Sequence, residues 1–284
     1  VTAVVERTEL LVPAPAEALA NLLEVELPDL EGAGLPLLWH WFYLLERPRQ
    51  ADLGEDGHPR RNGIPAPPGP GMRRMWAGGS TRALGPLRCG EPATRRSTVV
   101  STQEKSGRSG SLTFVTVGQQ IFQRGELVVD ERQDIVYLPT RPQPQGDAAE
   151  QRTEAPGAAS AGAGSWTIDV TPSLLFRFSA LTYNAHRIHY DHDYSRQVEG
   201  YPGLLTHGPL QILAMSESAR ADGKLKGDLL SCEYRLLAPL FAHQGLTARI
   251  GYEGEAAQAT VTDLTGRQTA RATITATNID KERG

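Results

Sequence analysis

The feature that most limits how this chain can fold is a repeated order. An apolar helix followed by strand-like runs occurs once on each side of a segment with no apolar period. That segment, residues 140–164, begins Thr-Arg-Pro-Gln-Pro-Gln-Gly-Asp and ends Gly-Ala-Ala-Ser-Ala-Gly-Ala-Gly. Small, polar and Pro/Gly residues cannot bury enough surface to offset the entropy of ordering them. A linker or mobile loop is therefore expected over 140–164, between a first domain over 1–139 and a second over 165–284.

The second half reads clearly. Trp166 to Val170 is a short strand, and the pair Thr171-Pro172 opens a helix that runs to Ser179. Gly208 and Pro209 open an apolar helix, Leu210 to Ala221, that stops at Gly223. Strand-like runs follow at Leu229–Leu240, Leu246–Tyr252, Ala257–Leu264 and Gln268–Thr277, the last two joined at Thr265-Gly266. The first half follows the same order more loosely. Its helices are expected at Ala14–Leu27 and Pro36–Glu46, then a Pro/Gly-rich stretch at 63–71. Its strands are expected near Met72–Trp76, Thr94–Lys105, Ser111–Phe122 and Leu127–Leu138, with a hairpin turn at Gln123-Arg-Gly-Glu126. Two such units suggest a duplicated α+β domain, each a helix lying across an antiparallel sheet. The period is too long for a solenoid or a propeller blade.

Bulk properties remove several function classes. A formal net charge of -4 argues against a protein that binds nucleic acid by neutralising phosphates, although Arg60-Arg61, Arg73-Arg74 and Arg95-Arg96 are local basic spots. The longest apolar run, Leu35 to Leu45, is broken by Pro36 and His40 and falls short of the ~18 residues of a membrane span. The N-terminus lacks the order of a signal peptide. Cys89 and Cys232 are far apart, so neither a disulfide framework nor a thiolate metal site is expected. These features predict a cytoplasmic protein with no membrane partner.

Chemistry is concentrated in Leu181-Thr-Tyr-Asn-Ala-His-Arg-Ile-His-Tyr-Asp191 and Gly203-Leu-Leu-Thr-His-Gly208. Four of the chain's seven histidines fall between His186 and His207, and imidazole is the side chain best suited to moving protons near neutral pH. His186 and His189, three apart, share a face if the segment is helical. Zinc is one alternative, because His186, His189, His192, Asp191 and Asp193 are all acceptable ligands. His192, however, would rotate off that face, and no second ligand motif exists. There is no Gly-x-Ser-x-Gly elbow, P-loop or dinucleotide fingerprint, so nucleophilic and nucleotide chemistry have no support. Acid–base work on a small substrate remains. Gly208 supplies a backbone N–H at a helix start, where a carbonyl oxygen gaining charge can be held.

These residues resemble the MaoC-like, R-specific enoyl-CoA hydratases of the hot-dog superfamily. Their motif, Leu-Ser-Gly-Asp-x-Asn-Pro-Ile-His followed by a His-Gly pair, corresponds here to Leu181-Thr-Tyr-Asn184-Ala-His186-Arg-Ile-His189 and His207-Gly208. The form is most similar to the double hot-dog branch of mesaconyl-C4-CoA hydratases, itaconyl-CoA hydratases and 3-hydroxyacyl-thioester dehydratases. The resemblance implies a double hot-dog fold with a degenerate first unit that supplies an acyl tunnel. It implies addition or removal of water across the α,β double bond of an acyl-CoA or acyl-carrier-protein thioester, without a cofactor or metal, in a homodimer or higher oligomer. His189 falls on the family's catalytic histidine, Gly208 on its oxyanion donor, and Asn184 where the wider family has an aspartate. An amide cannot act as a base. The burden moves to His189, assisted by His186, Asp191 or His207, while Arg187 and Arg235 are candidates for CoA phosphates or a substrate carboxylate. A non-catalytic acyl-thioester-binding protein and a hot-dog thioesterase are the alternatives.

Overall fold

The computed structural model describes residues 4–60, 65, 72–107, 110–139, 160–162 and 164–278. Most of the expected linker, 140–159 and 163, lies outside them, as do most of the Pro/Gly-rich stretch and Arg61. The chain forms two compact units, Val1–Arg141 with Asp228–Glu233, and Pro142–Gly227 with Tyr234–Gly284.

In the first unit, β1 (Val5–Leu10), β2 (Met72–Ala83), β3 (Pro92–Gly107), β4 (Gly110–Gln123) and β5 (Glu126–Pro139) form an antiparallel sheet in the order β1-β3-β4-β5-β2. The β4–β5 hairpin closes at the Gln123–Glu126 pair. Arg124 and Gly125 between them both have left-handed backbones, φ 55° and 86°. This two-residue turn matches the twist of the flanking strands. The strand β1 pairs with β3 and had no alternating apolar signal, because its residues are mostly exposed.

One expectation fails in this unit. Pro36–Glu46 is not a long helix but a 3-10 turn over Trp39–Phe42, flanked by left-handed Leu38 (φ 73°) and Leu44 (φ 55°). A helix buries one stripe of its surface. Here Leu37 to His40 and Phe42 to Leu44 are all buried, and only an irregular path gives that many consecutive side chains cover. The turn is anchored at both ends. The Tyr43 hydroxyl donates to the Val12 carbonyl (3.0 Å) and accepts from the Ala16 N–H (3.1 Å) at the start of α1 (Ala14–Leu23). Buried Glu131 on β5 accepts from His40 Nε2 (3.1 Å), Trp41 Nε1 (2.8 Å) and Gln133 Nε2 (3.0 Å). Burial alone would raise the Glu131 pKa, but these donors, His40 foremost, hold it below the usual carboxylate range.

The second unit contains β6 (Ser160–Gly162), β7 (Ser165–Ile168), α2 (Pro172–Leu181), α3 (His192–Gln197) and α4 (Gly208–Asp222). Its strands β9 (Leu246–Glu253), β10 (Ala256–Thr262) and β11 (Gln268–Thr277) follow β8 (Leu229–Leu236), which is divided between the units. The order β11-β10-β9-β7-β6 is antiparallel, and α4 packs on β7, β9, β10 and β11. Leu210, Ile212, Leu213, Ala214 and Met215 are all fully buried, so α4 is covered on more than one face. The helix ends at Gly223 in the left-handed conformation (φ 66°), as its sequence position predicts. This helix on its antiparallel sheet is the α+β layer expected from the sequence.

Candidate active site

Three short elements of the second unit bring the histidines together. Helix α2 begins where the Thr171 hydroxyl accepts from the Leu174 N–H (3.2 Å), with Pro172 at the first helical position. It ends where Tyr183 takes a left-handed turn (φ 52°) and the Asn184 N–H bonds back to the Ser179 carbonyl (2.9 Å). The Asn184 Oδ1 then accepts from the His186 N–H (3.0 Å), bending the chain into a 3-10 turn over Arg187–His189. Asp191 caps α3 by accepting from the Tyr194 N–H (3.0 Å).

The ring of His189 is tied to one particular acceptor. Its Nδ1 lies 2.8 Å from the Leu205 carbonyl oxygen. A carbonyl only accepts, so Nδ1 carries the hydrogen and, in the neutral ring, Nε2 carries the lone pair. Leu205 is itself held in place. Its N–H donates to the Ile188 carbonyl (2.9 Å), the Thr206 N–H donates to Leu240 (2.7 Å), and the Ala242 N–H donates to Leu204 (2.8 Å). The backbone therefore fixes which nitrogen of His189 can act as a base.

His207 lies beneath that ring. The two imidazoles stack at 3.7 Å with an interplanar angle of 19°, and His186 meets His189 edge-on at 5.6 Å. His207 is buried, with Phe178 against it at 4.7 Å and the Ser179 hydroxyl 2.8 Å from its Nε2. Among the described residues its Nδ1 has no hydrogen-bond partner. Burial, and after it the neighbouring His189 and His186 rings, holds its pKa well below the ordinary histidine value. That environment favours the neutral form of the His207 ring, which supports His189 by stacking on it. Directly after His207, partly exposed Gly208 begins α4, and its N–H has no acceptor within the helix.

The other sequence candidates sit differently. Asp191 uses Oδ1 on the Tyr194 N–H and Oδ2 on Arg187 (2.7 and 3.0 Å), and these two partners, in that order, hold its carboxyl below the usual range. Arg187 is further occupied by the Tyr194 ring, 4.1 Å below its guanidinium. His192 opens α3 with its side chain 42% exposed. Arg235 is exposed on β8, and among the described residues no hydrogen bond or ion pair joins it to the histidines. Ser179 and the Leu205 carbonyl were missed by sequence reasoning. A signal existed for Ser179: with Leu175 and Phe178 it occupies the buried stripe of α2, where a polar residue needs a partner. None existed for Leu205, which acts through its backbone.

The profile of the hydroxyacyl-thioester dehydratase type 2 family matches residues 38–242. The mesaconyl-C(4)-CoA hydratase of Chloroflexus aurantiacus is 46% identical over 230 residues, covering 80% of this chain and 79% of that protein. Among solved structures, HtdX of Mycobacterium tuberculosis superposes with a TM-score of 0.66 at 14% identity, covering 97% of this chain and all of that one. A second M. tuberculosis protein, described as having a double hotdog fold, gives a TM-score of 0.52 at 16% identity and covers 96% of this chain and 94% of its own. At these low identities the structures speak for the fold alone, and that fold is the expected hot-dog architecture.

Proposed function

The chain belongs to the hydroxyacyl-thioester dehydratase type 2 family, and on that footing we propose that it is a hydro-lyase adding water to, and removing it from, the α,β double bond of an enoyl-CoA. The observation that carries the mechanism is the Nδ1–H of His189 on the Leu205 carbonyl, 2.8 Å away, which leaves Nε2 as the base. In hydration, Nε2 takes a proton from water as the water oxygen bonds to the β-carbon. The π electrons move to the thioester oxygen, where the Gly208 N–H stabilises the enolate. The imidazolium then returns its proton to the α-carbon. Atoms balance with one histidine acting as base and then as acid.

Asn184 has a different task. Its Oδ1 is held by the His186 N–H, so its amide N–H groups are the part left for substrate. Those donors orient the water or hydroxyl oxygen and transfer no proton. Asp191, with both oxygens engaged, holds α3 and Arg187 in place. His207 holds the His189 ring in its orientation by stacking on it. Acid–base assistance of this type is worth about 10²–10⁴-fold and a single oxyanion donor about 10²–10³-fold.

The substrate we favour is an unsaturated dicarboxylic acyl-CoA of the mesaconyl-C4 type, because of the 46% identity to a hydratase of that name. The free, buried thiols of Cys89 and Cys232 suit a reducing compartment such as the cytoplasm. The test is a panel of enoyl-CoA thioesters, mesaconyl-C4-CoA and itaconyl-CoA among them, followed by loss of enoyl absorbance with free thiol measured in parallel. Enoyl loss without thiol release is expected. Thiol release would mark a thioesterase, and an unchanged panel would mark a binding protein.

A further inference from the structure

Ser179 on α2 meets the histidine site through both of its polar groups. Its side chain is buried, and its hydroxyl lies 2.8 Å from His207 Nε2. Its carbonyl oxygen accepts from the Asn184 N–H at 2.9 Å. The Thr182 hydroxyl closes this end of the helix over the Phe178 carbonyl (2.8 Å). One residue near the end of α2 therefore holds both the ring beneath the base and the residue assigned to orient water.

Stacking sets the distance and tilt of two rings and leaves rotation within the ring plane to hydrogen bonds. For His189 an in-plane bond runs from Nδ1 to the Leu205 carbonyl. For His207 it runs from Nε2 to Ser179. Among the described residues His207 Nδ1 has no partner, so the Ser179 hydroxyl is the in-plane anchor of that ring. A buried N–H is rarely left unpaired, whereas a lone pair more often is. The neutral His207 ring therefore carries its hydrogen on Nε2, donates it to Ser179 Oγ and keeps its lone pair on Nδ1. The two stacked rings then hold opposite tautomers, Nδ1–H in His189 and Nε2–H in His207.

We propose that Ser179 is a positioning residue for hydration: its hydroxyl fixes the tautomer and in-plane orientation of His207 and, through the 3.7 Å stack, the aim of His189 Nε2 at the reacting water. The inference rests on the hydratase reading of this site. Proton transfer is sensitive to such aim, since a misplacement of about 1 Å can cost roughly 10²-fold. Loss of one anchor with the stack still in place should cost less, about 10-fold.

The test uses the full chain with Ser179→Ala, which keeps the helix and the carbonyl that holds Asn184, and Ser179→Thr, which keeps the hydroxyl. Hydration of mesaconyl-C4-CoA by Ser179→Ala is expected to show kcat lowered about 10-fold and KM within about twofold of the unaltered protein, because Gly208 and Asn184 are left in place. Ser179→Thr is expected to restore kcat to within about threefold, as it keeps the donor and acceptor. Ser179→Cys, similar in size with a weak donor and acceptor, serves if the alanine variant fails to fold. Ring-¹⁵N spectra of histidine-labelled protein without substrate read the tautomers directly, with the His207 signals assigned by their loss in His207→Gln. One His207 tautomer, protonated at Nε2, is expected in the unaltered protein and a mixture of both in Ser179→Ala. An unchanged kcat in Ser179→Ala, a loss carried by KM alone, a threonine variant as slow as the alanine one, or the same His207 tautomer in both proteins would each overturn the proposal. Absence of turnover in the unaltered protein would count against the hydratase reading instead, and the ring signals would still decide whether Ser179 fixes His207.

Discussion

Lowering the pH should destabilise this protein through His207 before its carboxylates titrate. The ring is buried, stacked on His189 at 3.7 Å and held neutral by that environment. An exposed histidine in the unfolded chain has a pKa of about 6.5. The folded value lies below the unfolded one, so the stabilising contribution is fully present above about pH 6.5. It is lost as pH falls through 6.5 toward the folded value, because the unfolded chain takes up a proton that the folded chain refuses. Between pH 7.5 and 5.5 one such group removes about 1.4 kcal/mol, the cost of one pH unit below its unfolded pKa. The assay is urea unfolding at both pH values for the unaltered protein and for His207→Gln, which does not titrate. Contributions from groups away from the histidine stack are common to both proteins and cancel in the comparison. The variant should show a pH dependence smaller by about 1.4 kcal/mol. The same dependence in both proteins would mean that His207 carries a proton when folded, and the account of a neutral support would fail.

Two further outcomes follow from the geometry. Glu131→Ala leaves His40 and Trp41 without their shared buried acceptor and should cost about 3–5 kcal/mol in urea unfolding; Glu131→Gln, which keeps one acceptor oxygen, should cost roughly half as much or less. Asn184→Asp preserves the acceptor for the His186 N–H, so its stability should stay within about 0.5 kcal/mol of the unaltered protein; hydration should fall with the lost N–H donors yet be retained in part, because a carboxylate still orients water by accepting from it. Asn184→Ala should lose about 1 kcal/mol with the turn and lose more activity than Asn184→Asp.

The second unit was the more legible half because its signals were local. Thr171-Pro172, Gly208-Pro209 and Gly223 set the ends of two helices, and the strand run Gln268–Thr277 agrees to the residue. The first unit misled at Pro36–Glu46, where an unbroken apolar run has the composition of a core helix. Burial on nearly every side, together with the left-handed Leu38 and Leu44, makes it an irregular turn instead. At the site, the clustering of histidines was visible in the sequence, but their division of labour was not. That Asp191 is consumed by Arg187 and Tyr194 depends on a cap and an ion pair closed by folding. That His189 presents Nε2 depends on a backbone carbonyl sixteen positions away, which no side-chain pattern encodes.

The central claim is that the Nε2 of His189 carries the proton between water and the α-carbon. It is tested most directly by kcat/KM for hydration of mesaconyl-C4-CoA by the unaltered protein and by His189→Gln, with folding of both checked by unfolding midpoint. A glutamine amide can still donate to the Leu205 carbonyl but cannot accept a proton. The account predicts a fall of about 10²–10⁴-fold with the fold intact. Turnover within a few-fold of the unaltered protein would contradict it.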